Sequence, residues 1–253
     1  MRHHGITVAV FEDSTTSEKP NAVFPNNWLS MWPDGTIYLY PMATESRRIE
    51  RSEAVFTMLR KQWNIQKIID LSNWENDNKF LESTGVMIFD HVHKLVYGCL
   101  SVRCDEKLFR DHAQELGYSP VIFRAVDKDG TPIYHTNVLM GIQSHTAVIC
   151  LEAIKDNHEQ KLVEASLLGT GHEVIAITEA QMNNFCGNIL EVQNQQGERF
   201  IVMSQTAYAA YTPAQRTQLS QYATLLPINI PTIEAIGGGS ARCMLAEIFL
   251  PTI

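Results

Sequence analysis

Near the C-terminus the chain reads Ile236-Gly237-Gly238-Gly239-Ser240-Ala241-Arg242-Cys243-Met244, a cysteine presented by a glycine-rich turn that also carries a cation. Such a turn can make a thiolate available as a nucleophile. The glycines let a substrate approach the backbone, and Arg242 with nearby N–H groups can favour the anion. The plainer reading is a small buried thiol after an ordinary loop. Tyr134-His135-Thr136-Asn137 supplies an imidazole that can take up and return protons near neutral pH, although a lone histidine is more often structural. Leu81-Glu82-Ser83-Thr84-Gly85 sets an acid just before an apolar strand, where partial burial makes it chemically useful and full solvation does not. Phe24-Pro25-Asn26-Asn27-Trp28 places two carboxamides between aromatic residues, which suits either a lined pocket or an asparagine-rich turn. Ser101-Val102-Arg103-Cys104 puts an arginine fork after a strand, where it can hold a carboxylate in two bonds or simply solvate a surface.

These residues need a scaffold, and the rest of the chain supplies one. Its 253 residues, 45% hydrophobic and 19% charged, suffice to bury a full core. The formal charge of −8 argues against nucleic acid or an anionic membrane as main partner and favours a small solute. Five scattered cysteines without a CxxC pair suggest neither a disulfide framework nor a zinc cage and fit a reducing cytoplasm. No apolar run is long enough for a membrane span. Thr36–Tyr40, Gly85–Asp90, Ala147–Leu151 and Phe200–Met203 read as strands, and Arg51–Gln62, Asp105–Gly117, His158–Gly169 and Pro213–Ala223 space their apolar residues helically. Asp34-Gly35, Asp129-Gly130 and Gln196-Gly197 read as hairpin turns, while Thr178 and Thr212 offer helix caps. The order strand, turn, strand, helix, strand recurs about four times, which predicts one α/β domain over residues 1–253 built of similar modules. Asp13 to Asn21 reads as a polar loop. His91 and His93, on either side of a turn after Asp90, read as solvated in the absence of further spaced ligands, and Cys186 reads as a packed core thiol.

Taken together and in this order, Phe24-Pro25-Asn26-Asn27-Trp28, Tyr40-Pro41-Met42 with Arg47-Arg48, Leu81-Glu82-Ser83-Thr84-Gly85, His135-Thr136-Asn137 and the Gly237–Met244 loop resemble the guanidino-group-modifying enzymes of the pentein superfamily. The resemblance is nearest to the branch of citrulline-utilisation hydrolases, also known as arginine deiminase-related amidinotransferases. It implies a five-module α/β propeller with a central site, a covalent intermediate on Cys243, His135 as acid/base, Glu82 as the third catalytic group, and no metal or organic cofactor. Asn26, Asn27, Asn137, Arg103, Arg48 and Gly239 become the expected substrate-binding residues, with Arg103 and one or both of Arg47 and Arg48 the candidates for the α-carboxylate. The expected partner is a small amino-acid substrate.

Two departures from the family pattern shape the expectation. In arginine deiminases the positions matching Asn27 and Asn137 are aspartates that cradle the cationic guanidinium. An amide in place of each removes a charge-assisted hydrogen bond of about 1.5–3 kcal/mol. A neutral ureido group loses nothing comparable, so the pair favours citrulline, cleaved to ornithine, over arginine. Guanidino hydrolases of the arginine deiminase or dimethylarginine hydrolase type and amidinotransferases are the enzymatic rivals, and a propeller that only binds is the non-enzymatic one. The second departure is an expected shortening of the first module at the N-terminus, which would expose strand edges that permit pairing with another copy of the chain.

Overall fold

The computed structural model describes residues 1–13 and 19–253, so residues 14–18 of the polar loop read from the sequence lie outside the described residues. Four three-stranded sheets follow one another along the chain. They comprise β1 (Leu29–Met31), β2 (Thr36–Leu39) and β3 (Lys67–Asp70); β4 (Ile88–Asp90), β5 (Leu95–Cys99) and β6 (Ser119–Phe123); β7 (Met140–Ile142), β8 (Thr146–Ile149) and β9 (Glu173–Ala176); and β10 (Leu190–Gln193), β11 (Arg199–Ser204) and β12 (Thr224–Ile228). In every sheet the first two strands form an antiparallel hairpin and the third returns parallel to the second. A parallel return requires a crossover, and a helix supplies it each time: Glu53–Leu59, Glu106–Glu115, Asn157–Gly169 and Pro213–Ser220.

The local chemistry explains most boundaries. Asp34-Gly35 and Gln196-Gly197 turn the β1–β2 and β10–β11 hairpins with Gly35 and Gly197 at positive φ. Asp105 and Asp156 cap their helices through side-chain oxygens, and Thr178 and Thr212 form reciprocal capping boxes with Gln181 and Gln215. Two expectations need correction. Asp129-Gly130 joins no pair of sheet strands and closes only the isolated bridge Val126 to Pro132. The apolar run from Gly85 to Asp90 is strand only from Ile88, because Ser83–Val86 forms a short helix.

The core lies between modules as well as within them: one buried cluster takes in Tyr97, Phe123, Leu139, Val148, Val163, Ile201 and Tyr211. Helix Glu106–Glu115 seats Phe109 directly on β5, where Gly98 leaves room for the ring. A Cβ at Gly98 would lie 2.3 Å from Phe109 Cε2. Gly98→Ala is therefore expected to destabilise the fold by about 1–3 kcal/mol through overpacking, read as a lower urea midpoint at unchanged slope. No helix of the described residues is long and apolar enough to cross a membrane.

Candidate active site

The chemically suggestive residues sit at ends of elements, where a short helix or a strand terminus fixes the backbone. Asn27 ends the 3₁₀ turn Pro25–Asn27, Glu82 precedes helix Ser83–Val86, His135 precedes helix Thr136–Leu139, and Cys243 lies in the 3₁₀ turn Ala241–Met244. Cross-module hydrogen bonds hold these turns together. Thr136 Oγ1 donates to Val86 O at 2.6 Å and accepts from Cys99 N at 2.8 Å, which pins the His135 turn onto the module carrying Glu82. Ser83 adopts φ +40° with its hydroxyl donating to Leu29 O at 2.9 Å, so a strained backbone is held in place beside Glu82.

Asn27, Arg47, Arg103, Tyr134, His135, Asn137, Asn188, Gly239 and Cys243 line one cleft of about 380 Å³. Cys243 is 5% exposed. Two amide donors are aimed at its sulfur, Asn188 Nδ2 at 3.2 Å and Asn137 Nδ2 at 3.5 Å, an arrangement that solvates a thiolate. The orientation of Asn188 is fixed, because its Oδ1 accepts the backbone N–H groups of Arg242 and Cys243 at 3.0 and 3.4 Å. The other four cysteines are also buried, and burial pushes Cys99 and Cys186 up to about 12, Cys150 up to about 11 and Cys104 well above the usual range.

Behind the cleft, Glu82 is fully buried and binds His135 Nε2 at 2.6 Å, Arg103 Nη1 at 3.3 Å and the Ala43 N–H at 3.0 Å. Burial raises its carboxyl, but these donors outweigh it and hold it at about 2, so Glu82 is ionised. Burial lowers the His135 imidazole below its ordinary value even though Glu82 pulls it upward. The resting pair is thus a carboxylate accepting Nε2–H from a neutral ring, which fixes the tautomer and leaves Nδ1 as the basic nitrogen. Gly85 must lack a side chain here, since a Cβ would strike Asn27 Nδ2 at 2.4 Å and approach His135 Nδ1 to 3.2 Å.

Several expected residues occupy other roles. Arg48 is absent from the cleft: it donates to Met42 O at 3.0 Å, pairs with Glu75 and stacks on Phe80. Its neighbour Arg47 reaches the cleft wall, but its fork is consumed by Glu50, Asn27 Oδ1 and Phe24 O. Asn26 does not line the cleft and shares hydrogen bonds with Thr84. Arg242 turns away from the cysteine to Leu245 O and Glu247, so the donors beside the sulfur are amides rather than a guanidinium. The glycines of the loop are needed chiefly by Phe24, whose ring would meet a Cβ on Gly237 or Gly239 within 2.9 Å, while Gly238 takes φ +68°. Sequence reading passed over Asn188, although the turn Cys186-Gly187-Asn188 that carries it was visible. Arg47 also had a signal, in its i,i+3 spacing to Glu50.

Residues 1–250 match the family model described as N,N dimethylarginine dimethylhydrolase, eukaryotic. No curated protein matches the chain. Among solved structures, apo ArgZ, an arginine dihydrolase from the ornithine-ammonia cycle in cyanobacteria, superposes with a TM-score of 0.71 at 16% identity, over 95% of this chain and 35% of that one. AgrE in its ternary complex with ornithine and NAD+ gives 0.71 at 19% identity, over 92% of this chain and 31% of that one. The dimethylarginine dimethylaminohydrolase adduct with 4-chloro-2-hydroxymethylpyridine gives 0.59 at 14% identity, over 89% and 78% of the two chains. This chain thus spans about a third of the length of ArgZ and AgrE, and at these identities the likeness is one of fold, that of the penteins. With its near-complete match to the family model, the chain belongs to the N,N-dimethylarginine dimethylhydrolase family, within the pentein superfamily of guanidino-modifying enzymes.

Proposed function

We propose that this chain is a cysteine hydrolase of a ureido amino acid, converting citrulline to ornithine. The observation that carries the proposal is the charge of the cleft: among the described residues its lining includes Arg47 and Arg103 but no aspartate or glutamate. Glu82 and Glu50, the carboxylates that pair with lining residues, are buried and already committed to His135 and Arg103 and to Arg47. Among the described lining residues a bound guanidinium would find no counter-ion, at a substantial desolvation cost. The two lining amides fit a neutral head group instead. Arg47 takes Asn27 Oδ1, which leaves Asn27 Nδ2 as an unpaired donor, and the sulfur takes Asn137 Nδ2, which leaves Asn137 Oδ1 as an unpaired acceptor. A ureido carbonyl accepts from the first and a ureido N–H donates to the second.

The family consists of hydrolases acting on carbon–nitrogen bonds, and the chemistry follows from the parts. The Cys243 thiolate attacks the ureido carbon while Asn27 Nδ2 stabilises charge growing on the oxygen. The bond from carbon to the side-chain nitrogen breaks, and that nitrogen takes a proton relayed through His135, releasing ornithine and leaving a carbamoyl thioester on Cys243. Water, deprotonated by neutral His135 Nδ1, attacks the thioester and frees carbamate and the thiolate. Arg103 is the cation left to hold the substrate carboxylate, since it is about a quarter exposed, steadied by Tyr134 at 4.8 Å, and committed only through Nη1.

The family description favours a second reading, hydrolysis of a methylated arginine. Parallel assays of citrulline, arginine and dimethylarginine with purified protein decide between them. Ornithine formed from citrulline, with arginine and dimethylarginine turned over at least about tenfold more slowly in kcat/KM, supports the proposal. Preferential release of methylamine species or ammonia from a guanidino substrate overturns it.

A further inference from the structure

A second cleft, of about 170 Å³, shares no lining residue with that of Cys243. It is lined by the β4–β5 turn, the end of β7 and the segment before β9, which brings together Asp90, His93 and His172. One ligand atom from each of these side chains lies within 4.8 Å of the others. We propose that Asp90, His93 and His172 bind a divalent transition-metal ion of the zinc class, which ties the module of β4–β6 to that of β7–β9.

The donor set itself argues for the ion. Two imidazoles and a carboxylate are ligands of moderate softness that suit zinc, and they leave a position for water. Asp90 Oδ2 stands 2.8 Å from His93 Nδ1 and 4.0 Å from His172 Nδ1. Ligands of a tetrahedral zinc, each about 2.0–2.1 Å from the ion, are separated by about 3.3 Å, so small shifts around the exposed His93 would complete the geometry. The Nε2 of His172 lies 3.1 Å from the carbonyl oxygen of Gln143, an atom that can only accept, so Nε2 carries the proton, and Nδ1, 2.8 Å from the Thr170 hydroxyl, is the nitrogen that would exchange that contact for the ion. The Asp90 carboxylate is held likewise, with Oδ1 accepting the His93 N–H at 3.0 Å and Oδ2 turned to the imidazoles.

A second, independent observation points to an occupant of the cleft. Gln143, 4% exposed, lines it with an amide Nε2 that has no hydrogen-bond partner, and Glu191 Oε2 on the same lining is also buried and unpaired. Buried polar groups without partners are uncommon, and hydrated metal would satisfy both, water donating to Glu191 and hydroxide accepting from Gln143. His91, the other histidine of the turn, lies outside the set: the converging ligand atoms are those of Asp90, His93 and His172, while the His91 Nδ1 pairs with the Tyr118 hydroxyl at 2.7 Å.

The test uses Cys243→Ser protein, so that the thiol of the other cleft takes up no metal. Zinc chloride is titrated against a chromophoric chelator, and cobalt(II) is added separately to read ligand-field absorption. One equivalent bound, a cobalt band in the visible, and a melting temperature that rises with zinc concentration are expected. His172→Ala and His93→Ala should each weaken binding by at least about tenfold, with His91→Ala unchanged. His93 is exposed, so that variant stays folded even where loss of the buried His172 does not allow it. Absence of zinc binding, or affinity that survives His93→Ala in folded protein, overturns the proposal.

Discussion

Cys243→Ser is expected to lower turnover of citrulline by at least about 10⁴-fold, with the circular dichroism spectrum and melting temperature little changed. The size of the loss follows from what surrounds the sulfur. Asn188 and Asn137 direct N–H donors to it, and Asn188 is locked in that orientation by two backbone amides. Such donors stabilise an anion, which a thiol becomes far more readily than a serine hydroxyl. No second thiol can substitute: Cys186 is fully buried, with its Sγ directed at Ala207 O. Steady-state ornithine release measures the effect, and a serine variant retaining more than about a tenth of the activity would mean that the bond is broken by a hydrolytic water rather than by a covalent route.

Glu82→Gln should cost about 10²–10⁴-fold in kcat, and its pH behaviour separates a catalytic positioning role from a merely structural one. Glutamine at 82 can turn its NH₂ toward His135 Nε2, which drives the proton to Nδ1 and removes the base the mechanism needs. The carboxylate also raises the His135 imidazole against the larger lowering by burial. Its removal therefore lowers the imidazole further, and the acidic limb of the rate profile moves to lower pH. The stability effect has its own sign. Glu82 titrates at about 2 in the fold against an ordinary 4.5, so its stabilising effect is complete above pH 4.5 and is lost as pH falls toward 2. The variant should be less stable than the parent at neutral pH and should converge on it in acid, as read by urea unfolding at several pH values. A rate loss with an unshifted acidic limb would contradict the assignment of Glu82 to His135.

The modular fold was legible because its period was long and its punctuation local. Asp-Gly and Gln-Gly turns, threonine caps and helical spacing recur between strands of alternating type, and the four sheets with their crossovers follow that order. The fifth module implied by the resemblance forms no sheet among the described residues; the segments Ile6–Asp13 and Leu245–Ile253 contribute only the bridge from Trp63 to Thr252. Side-chain direction was less legible than element type. Arg47 and Arg48 are adjacent in a four-residue helix, and which one turns inward depends on a phase that a tandem pair does not reveal. Arg242 and Cys243 share a 3₁₀ turn and diverge into separate clefts, so a cation one residue from a thiol proved no guide to what touches it. Asn188 and His172 could not be placed from spacing at all, because each acts on a partner 55 or 82 positions away in the chain.

Cleavage of a neutral ureido group through Cys243 leaves a covalent trace that intact-mass analysis of protein quenched during turnover can read, with citrulline and arginine offered separately. An added carbamoyl group is expected from citrulline, located on the peptide carrying Cys243, absent from Cys243→Ser protein and absent with arginine. An amidino adduct from arginine, with citrulline leaving the thiol unmodified and unconsumed, would contradict ureido cleavage through Cys243.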